Sequence, residues 1–335
     1  MNKVTLKDIA KDAGVSEMTA SRALRDRGEV ARKTVELVKE SARRLGYLPN
    51  QAASMLASRV SKIIPMIVPS LNNTVFLDVI DGAQGVIDAA GYQMMLGNLN
   101  YSTTSETETV AALMSWSPAA IIIAGTEHSD STNKILSNAQ CPVIEIMDIS
   151  ETPIDMCVGF SQINAGREMG EYLLDKGYRH IAFVGNQLEK DNRAMKRYSG
   201  LIDAINHSKH TDIEDVLLLS IPDSYGPKAG ARTLESMIAD QPQIDCIYFS
   251  NDDLAVGALL AAARLGIEVP DRIAIAGFNG LEIGQIASPR LTTSSTPRKL
   301  IGEQAAQLAL DSIAGSRAKS STLDLGCTLL PGDSA

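Results

Sequence analysis

Residues 16–25 read Ser-Glu-Met-Thr-Ala-Ser-Arg-Ala-Leu-Arg and gather a carboxylate, a thioether, three hydroxyls and two guanidinium groups. At ~100° per residue, a helix there puts Glu17, Met18, Ser21, Arg22 and Arg25 on one face and Ala20, Ala23 and Leu24 on the other. The first face holds groups able to read base edges. Arg22 can donate two N–H bonds to a guanine, Glu17 can accept from a cytosine amine, and Met18 can touch a thymine methyl. Ser16, Thr19, Ser21 and the amides of the helix start suit phosphates, which position without specifying. The competing reading is a plain helical hairpin with a charged face in solvent.

The elements needed to present that face are written around it. Thr5 can cap a first helix, with Asp8 as the capping acid, and it joins the DNA-contact candidates. Leu6, Ile9, Ala10 and Ala13 form one apolar stripe, and Gly14 stops the helix. Ser16 caps the second helix after a short turn, which makes the pair a helix-turn-helix. Ala31–Leu45 predicts a third helix with Val35, Leu37, Val38, Ala42 and Leu45 as apolar positions and Gly46 as its end. Three short helices bury little surface, so residues 1–46 are expected to form a small satellite domain.

Charge favours that reading. The chain of 335 residues has a net charge of −9. Residues 1–62 hold 13 Lys and Arg against 7 Asp and Glu, a net +6, and the remainder holds 18 against 33, a net −15. A basic head on an acidic body leaves the head as the surface for a polyanion. The four cysteines, Cys141, Cys157, Cys246 and Cys327, form no Cys-x-x-Cys pair and read as free thiols of a reducing compartment. No apolar run is long enough to span a bilayer and none opens the chain, so a cytoplasmic protein without a membrane partner is expected. Enzyme readings lack support. No Gly-rich nucleotide fingerprint follows the first strand, and no Gly-x-Ser-x-Gly elbow occurs. His128, His180, His207 and His210 show no metal spacing, so neither a metal nor a cofactor is expected. A transporter's solute-binding protein would need an export signal.

Tyr47-Leu48-Pro49-Asn50 is a break, since Pro49 forces an extended residue before it and Asn50 can cap the next element. Residues 51–58 are alanine-rich but too short to hold a helix alone, so they are expected to order only when docked. Leu56 in their middle could wedge into a minor-groove base step, or simply pack on its own body. From Ile63 on, strand-like runs alternate with amphipathic helical stretches. The runs are Ile63–Val68, Gln93–Leu96, Ala119–Ala124, Val143–Met147, His180–Val184, Val216–Leu219, Cys246–Phe249 and Ile273–Ala276. Helices are expected at Phe76–Ala90, Asn164–Lys176, Asp252–Leu265 and Pro297–Ala314. This rhythm predicts parallel α/β sheets in two lobes, with a changeover near Asp148–Asn164 and a late return near Leu291–Pro297. Ligands then belong at the strands' carboxyl ends, in a cleft between lobes. The tail after Gly315 reads as short and polar, without the leucine heptads of a coiled coil.

Val15-Ser16-x-x-Thr19-x-Ser21-Arg22-x-Leu24, Gly46-Tyr47-x-Pro49-Asn50 and Asn251-Asp252-x-x-Ala255-x-Gly257, in this order, resemble the lac-repressor family over nearly the whole chain. Pro69-Ser70-Leu71-x-Asn73, Gly91-Tyr92-Gln93, Val158-Gly159-Phe160, Ala276-Gly277-Phe278 and Leu323-Asp324-Leu325-Gly326 resemble the repressors of gluconate utilisation within it. The resemblance implies an all-α helix-turn-helix head (1–46), a hinge helix (47–60) and a two-lobed α/β periplasmic-binding-protein-like body (61–335) that binds effector and dimerises. It implies a transcriptional regulator, a repressor whose homodimer sets two heads on a double-stranded, pseudo-palindromic operator. Thr5, Ser16, Glu17, Met18, Thr19, Ser21, Arg22, Asn50 and Leu56 are the DNA-contact candidates.

For the effector the resemblance points to Asp148 at a strand end, Phe160 as an aromatic floor, Arg197 as the effector arginine, and Asn251 and Asn279. Ser70, Asn73 and Tyr225 are further wall candidates. Asn279 and Gly280 stand where the family usually has acids. Losing them, with Arg193, Lys196 and Arg197 near one another in sequence, favours a sugar acid, gluconate or a phosphorylated relative, over a neutral sugar. Arg193 and Lys196 on a solvated helix face is the alternative. Effector as inducer is the family norm, and the sign of control stays open.

Overall fold

The computed structural model describes residues 4–25, 30–48, 61–99, 103–209, 216–222, 226–316 and 321–335. The chain divides into two compact units, Met1–Ser61 and Lys62–Ala335.

In the first unit, α1 (Leu6–Asp12), α2 (Glu17–Arg25) and α3 (Arg32–Leu45) form the expected three helices. The Asp8 carboxylate accepts from both the Thr5 N–H (2.9 Å) and its hydroxyl (2.7 Å), which closes the start of α1. Gly14, at φ +65°, makes the turn, and the Ser16 hydroxyl caps α2 by accepting from the Thr19 N–H at 3.1 Å. Gly46, also left-handed, ends α3. Ile9, Ala20, Ala23 and Val38 are fully buried against one another. Burying side chains the size of Ile9 and Val38 stabilises the unit by roughly 1.5–3 kcal/mol each. Leu37 departs from its expected place. It lies 45% exposed, because it falls outside the stripe that Val35, Val38 and Ala42 make at helical spacing. Asn50, Leu56 and all of the expected hinge helix beyond Leu48 lie outside the described residues.

Among its described residues the second unit holds two parallel sheets. In one lobe β1 (Ile63–Val68), β2 (Gln93–Asn98), β3 (Ile121–Ala124), β4 (Val143–Ile146), β5 (Met156–Gly159) and β11 (Thr322–Asp324) run in the order β11-β5-β4-β3-β1-β2. In the other, β6 (Ile181–Asn186), β7 (Leu217–Ile221), β8 (Cys246–Phe249) and β9 (Ala274–Ala276) run β7-β6-β8-β9. The first lobe carries α4 (Val75–Ala89), α5 (Thr103–Met114), α6 (Asp130–Ser137) and α12 (Arg298–Ile313). The second carries α7 (Gln162–Asp175), α8 (Asn192–His207), α9 (Pro227–Asp240), α10 (Asp252–Leu265) and α11 (Glu282–Gln285). Strands of such sheets are covered on both faces, so β3, β4 and β8 are buried end to end; β3 and β8 read as unbroken apolar runs, while β4 carries the buried Glu145.

Two features differ from the sequence reading. Met156–Gly159 is a strand inside the expected changeover, too short to show a period. The polar tail is part of the body rather than an appendage. β11 pairs with β5, and the chain then crosses back so that β12 (Thr328–Leu330) pairs antiparallel with β10 (Thr293–Ser295). The lobes are therefore joined by three crossings, after β5, at β10 and between β11 and β12, where the sequence reading had two. The Tyr172 hydroxyl donates to the Ala335 carbonyl at 2.8 Å, fastening the last residue to the second lobe.

Candidate functional site

The face of α2 is built as its spacing requires. Met18 is 65% exposed, Glu17 and Arg22 are exposed, and Ser21 is half-buried beside the packed face. The hydroxyls of Ser16 and Thr19 lie 2.9 Å apart at the helix start, where the amide dipole favours an anion. Thr5 spends its hydroxyl proton on Asp8, so towards DNA its oxygen can only accept.

In the body, a cavity of about 380 Å³ opens between the lobes. Its walls are the segments that follow β1, β4, β6, β8 and β9, the carboxyl ends of both sheets. Ser70, Asn73, Phe160, Arg197, Asn251 and Asn279 all line it. Tyr225 lies outside the described residues. The first-lobe wall is shaped by its own hydrogen bonds. The Ser70 hydroxyl accepts from the Asn72 N–H (3.1 Å), and the Asn73 side chain accepts from the Val75 N–H (3.2 Å). Asn251 caps α10 through the Leu254 N–H, at 3.0 Å.

Arg197 is the chemical centre of this cavity. It stands on α8, and Gly166 of α7 and Gly200 of α8 let those helices touch. A Cβ at Gly166 would sit 2.0 Å from the Arg197 carbonyl oxygen, and one at Gly200 would sit 2.0 Å from that of Ile163. The guanidinium lies 4.0 Å over the Phe278 ring, and Phe278 leans on Phe160 with ring centroids 6.0 Å apart. It donates to the Gln162 side chain and, at 3.0 Å, to the Ser250 carbonyl. Its Nε is buried without a partner, and no described carboxylate forms an ion pair with it. Burial lowers the guanidinium below its ordinary pKa, but an arginine stays charged. Asn186, missed in the sequence, also lines the cavity with both side-chain polar atoms buried and unpartnered. Its place as the last residue of β6 was the available signal, since strand ends line such clefts.

Asn279 sits at φ +112°, a backbone that L residues rarely adopt. The crossing strand holds it there. Its N–H donates to the Ser294 carbonyl at 2.9 Å, and its carbonyl accepts from Arg298. The buried Asp252 carboxylate accepts from the Leu281 N–H (2.6 Å) and the Thr293 hydroxyl (2.7 Å), which ties the same loop to β10. Desolvation pushes Asp252 up to about 6.

Asp148 differs from its expected role. It does not line the main cavity but an adjoining one of about 320 Å³, and its carboxylate is taken by Lys196 at 2.6 Å. Lys196 therefore neither faces solvent freely nor stands ready for a ligand. Arg193 does line the main cavity, 4.0 Å from Asp191 and 5.4 Å from the Phe76 ring centroid.

Beside Asp148, His128 is enclosed between Glu106 (2.8 Å) and Glu145 (3.4 Å). Burial pulls its pKa down, but the hydrogen bond to Glu106 and the charges of both glutamates outweigh that and push it up to about 9. A histidine raised in the folded state contributes stability that is complete below its ordinary value of about 6.5 and is lost as pH rises through about 9. The parent protein is therefore expected to lose more melting temperature between pH 7 and pH 10 than the His128→Gln variant. Equal losses in a calorimetric series would reject the charged histidine.

Among the described residues no group of His, Cys, Asp and Glu could hold a metal ion, and no helix is long and apolar enough to cross a membrane. Two family models match the chain. Residues 5–50 match bacterial regulatory proteins of the lacI family, and residues 61–330 match the periplasmic binding proteins and sugar binding domain of the LacI family. The HTH-type transcriptional regulator GntR of Pseudomonas aeruginosa is 37% identical over 98% of this chain and 95% of its own. That of Escherichia coli K12 is 36% identical over 98% of each. A crystal structure of a LacI-family transcriptional regulator from Silicibacter pomeroyi superposes with a TM-score of 0.91 at 35% identity, over 99% of each chain.

Proposed function

The chain belongs to the LacI family of bacterial regulatory proteins and is a DNA-binding transcriptional regulator, and from that premise we propose that it represses genes of sugar-acid catabolism and leaves its operator when a gluconate-type acid binds. In this proposal residues 1–46 read the operator, 47–60 are the hinge, with Asn50 and Leu56 at the DNA, and 61–335 bind the effector and pair two chains. Two heads then meet two half-sites, and the effector shifts the lobes by a differential affinity of a few kcal/mol.

The observation that carries the effector class is Arg197. A guanidinium buried on a cavity wall without a carboxylate partner costs free energy that an incoming anion recovers. Phe160 and Phe278 below it match the apolar edge of a small carbon chain, while Asn186, Asn251 and Asn279 can donate to and accept from hydroxyls. The GntR name of the relatives agrees with a gluconate-type ligand.

A thermal-shift series tests this. Gluconate is set against the neutral aldose glucose, and gluconate 6-phosphate against glucose 6-phosphate, which keeps the phosphate and lacks the carboxylate, each added to the full chain. An effector at a hundred times its dissociation constant stabilises by ~2.7 kcal/mol. The acid is expected to raise the melting temperature and to release operator DNA, and the aldose to do neither. A neutral aldose that stabilises as strongly as the acid would overturn the proposal.

A further inference from the structure

Lys196 links the two lobes. It projects from α8 of the second lobe, and its ammonium lies 2.6 Å from the Asp148 carboxylate and 2.8 Å from that of Glu127, both in the first lobe. The Asp148 side chain is 4% exposed and that of Lys196 24%, so the Asp148 contact is shielded from water, while Glu127 is about half exposed. Shielding strengthens an ion pair that an exposed position would leave nearly worthless. Desolvation opposes the ammonium, yet the hydrogen bonds to the two carboxylates raise it above its ordinary value.

Each end of the link is held rigid by its own lobe. Asp148 follows Met147, whose φ of +71° turns the chain out of β4. That unusual backbone is pinned on both sides. The Met147 N–H donates to the Val158 carbonyl at 3.0 Å, and the Met147 carbonyl accepts from Gln162 at 2.8 Å. The Asp148 Oδ1 accepts from the Ile149 N–H at 2.9 Å, which fixes its rotamer and leaves Oδ2 for Lys196. Glu127 precedes His128, whose ring is locked between Glu106 and Glu145 inside the first lobe. On the other side, α8 is anchored by the Asp191 cap on the Ala194 N–H at 3.1 Å. Strained backbone kept by surrounding bonds is commonly found where a side chain must be aimed.

We infer that Lys196, Asp148 and Glu127 form an interlobe latch that holds the lobes together before any ligand arrives, so that Asp148 is a positioning residue acting through Lys196. The latch explains why a cation one residue before Arg197 leaves the main cavity to Arg197, Arg193 and Lys190. It also sets the fraction of protein already closed, and with it the apparent affinity for whatever the cavity binds.

The latch is tested in ligand-free full-length protein by the distance between spin labels on the two lobes. Glu108→Cys and Asp240→Cys carry the labels, with Cys141 and Cys327 replaced by serine. The label pair is expected to give a longer and broader distance distribution in Lys196→Met. Lys196→Arg is expected to keep the parental distribution, and Lys196→Asp with Asp148→Lys to restore it. Glu127→Gln, which removes only the exposed partner, is expected to give a smaller shift and serves if Lys196→Met does not fold. An unchanged distribution in Lys196→Met, or in Glu127→Gln should that variant alone fold, would overturn the latch. No ligand enters this measurement, so its failure is separate from failure of the sugar-acid reading. Where gluconate binds the parent, the apparent affinity of Lys196→Met is expected to fall roughly three- to thirty-fold, by the loss of closed fraction.

Discussion

Arg197→Met is expected to weaken binding of the sugar acid roughly ten- to a hundred-fold, the ~1.5–3 kcal/mol of a charged hydrogen bond. Methionine keeps the stem and its contact with Phe278 but removes the cation. The ligand-free variant is expected to melt within a few degrees of the parent. The substitution removes the cost of a buried unpaired charge together with the bonds to Gln162 and Ser250. Binding lost while the fold persists isolates the charge as the cause. Isothermal titration of the variant with gluconate measures it, and parental affinity would exclude Arg197 from the effector contact. The same variant is expected to hold operator DNA as the parent does and to fail only in release.

Arg22→Ala is the complementary case, in which effector binding survives and specific operator binding is lost. A bidentate arginine–guanine contact discriminates by ~1–3 kcal/mol, and a dimer makes it twice, so about 2–6 kcal/mol is at stake across two half-sites. Ala23 and Ala20, the packed side of α2, are untouched by the change, so the head keeps its core. Operator sites are first selected from a random duplex pool with the parent protein. Titration of a selected site, against a scrambled duplex at the same salt, then separates base reading from phosphate attraction. Equal preference for the selected site in parent and variant would reject α2 as the reading helix.

The head was the most legible part of the chain, because its signals are local. The Ser16 cap, the Gly14 and Gly46 stops and the stripe of Ile9, Ala10 and Ala13 each act within a turn or two of helix. Leu37 was misplaced because a list of apolar residues does not weigh angle. The body's central strands were legible for a similar reason. Ile63–Val68 and Cys246–Phe249 are continuous apolar runs in strands covered on both faces. The strands that fasten the lobes, Met156–Gly159, Thr322–Asp324 and Thr328–Leu330, are three or four residues long. Their identity comes from a neighbour 165 residues away, as where Thr322 pairs with Cys157, and no local pattern records that.

The cavity divides along the same line. The resemblance to the lac-repressor family implies Phe160, Arg197, Asn251 and Asn279 as effector positions, with Ser70 as a wall candidate, and all of them line one cavity. Sequence by itself determined the kinds of groups available, a reading helix on a basic head and an arginine with few acids beside it. Which cation stays free for a ligand was decided only by the tertiary structure. Arg197 and Lys196 are adjacent on one helix, about 100° apart around its axis. That rotation turns one towards the main cavity, where Asp191 and Asp253 stand on the wall but no described carboxylate forms an ion pair with it, and the other onto Asp148 and Glu127 of the opposite lobe. Charge in a folded protein is set by what each group faces, and what it faces comes from distant parts of the chain.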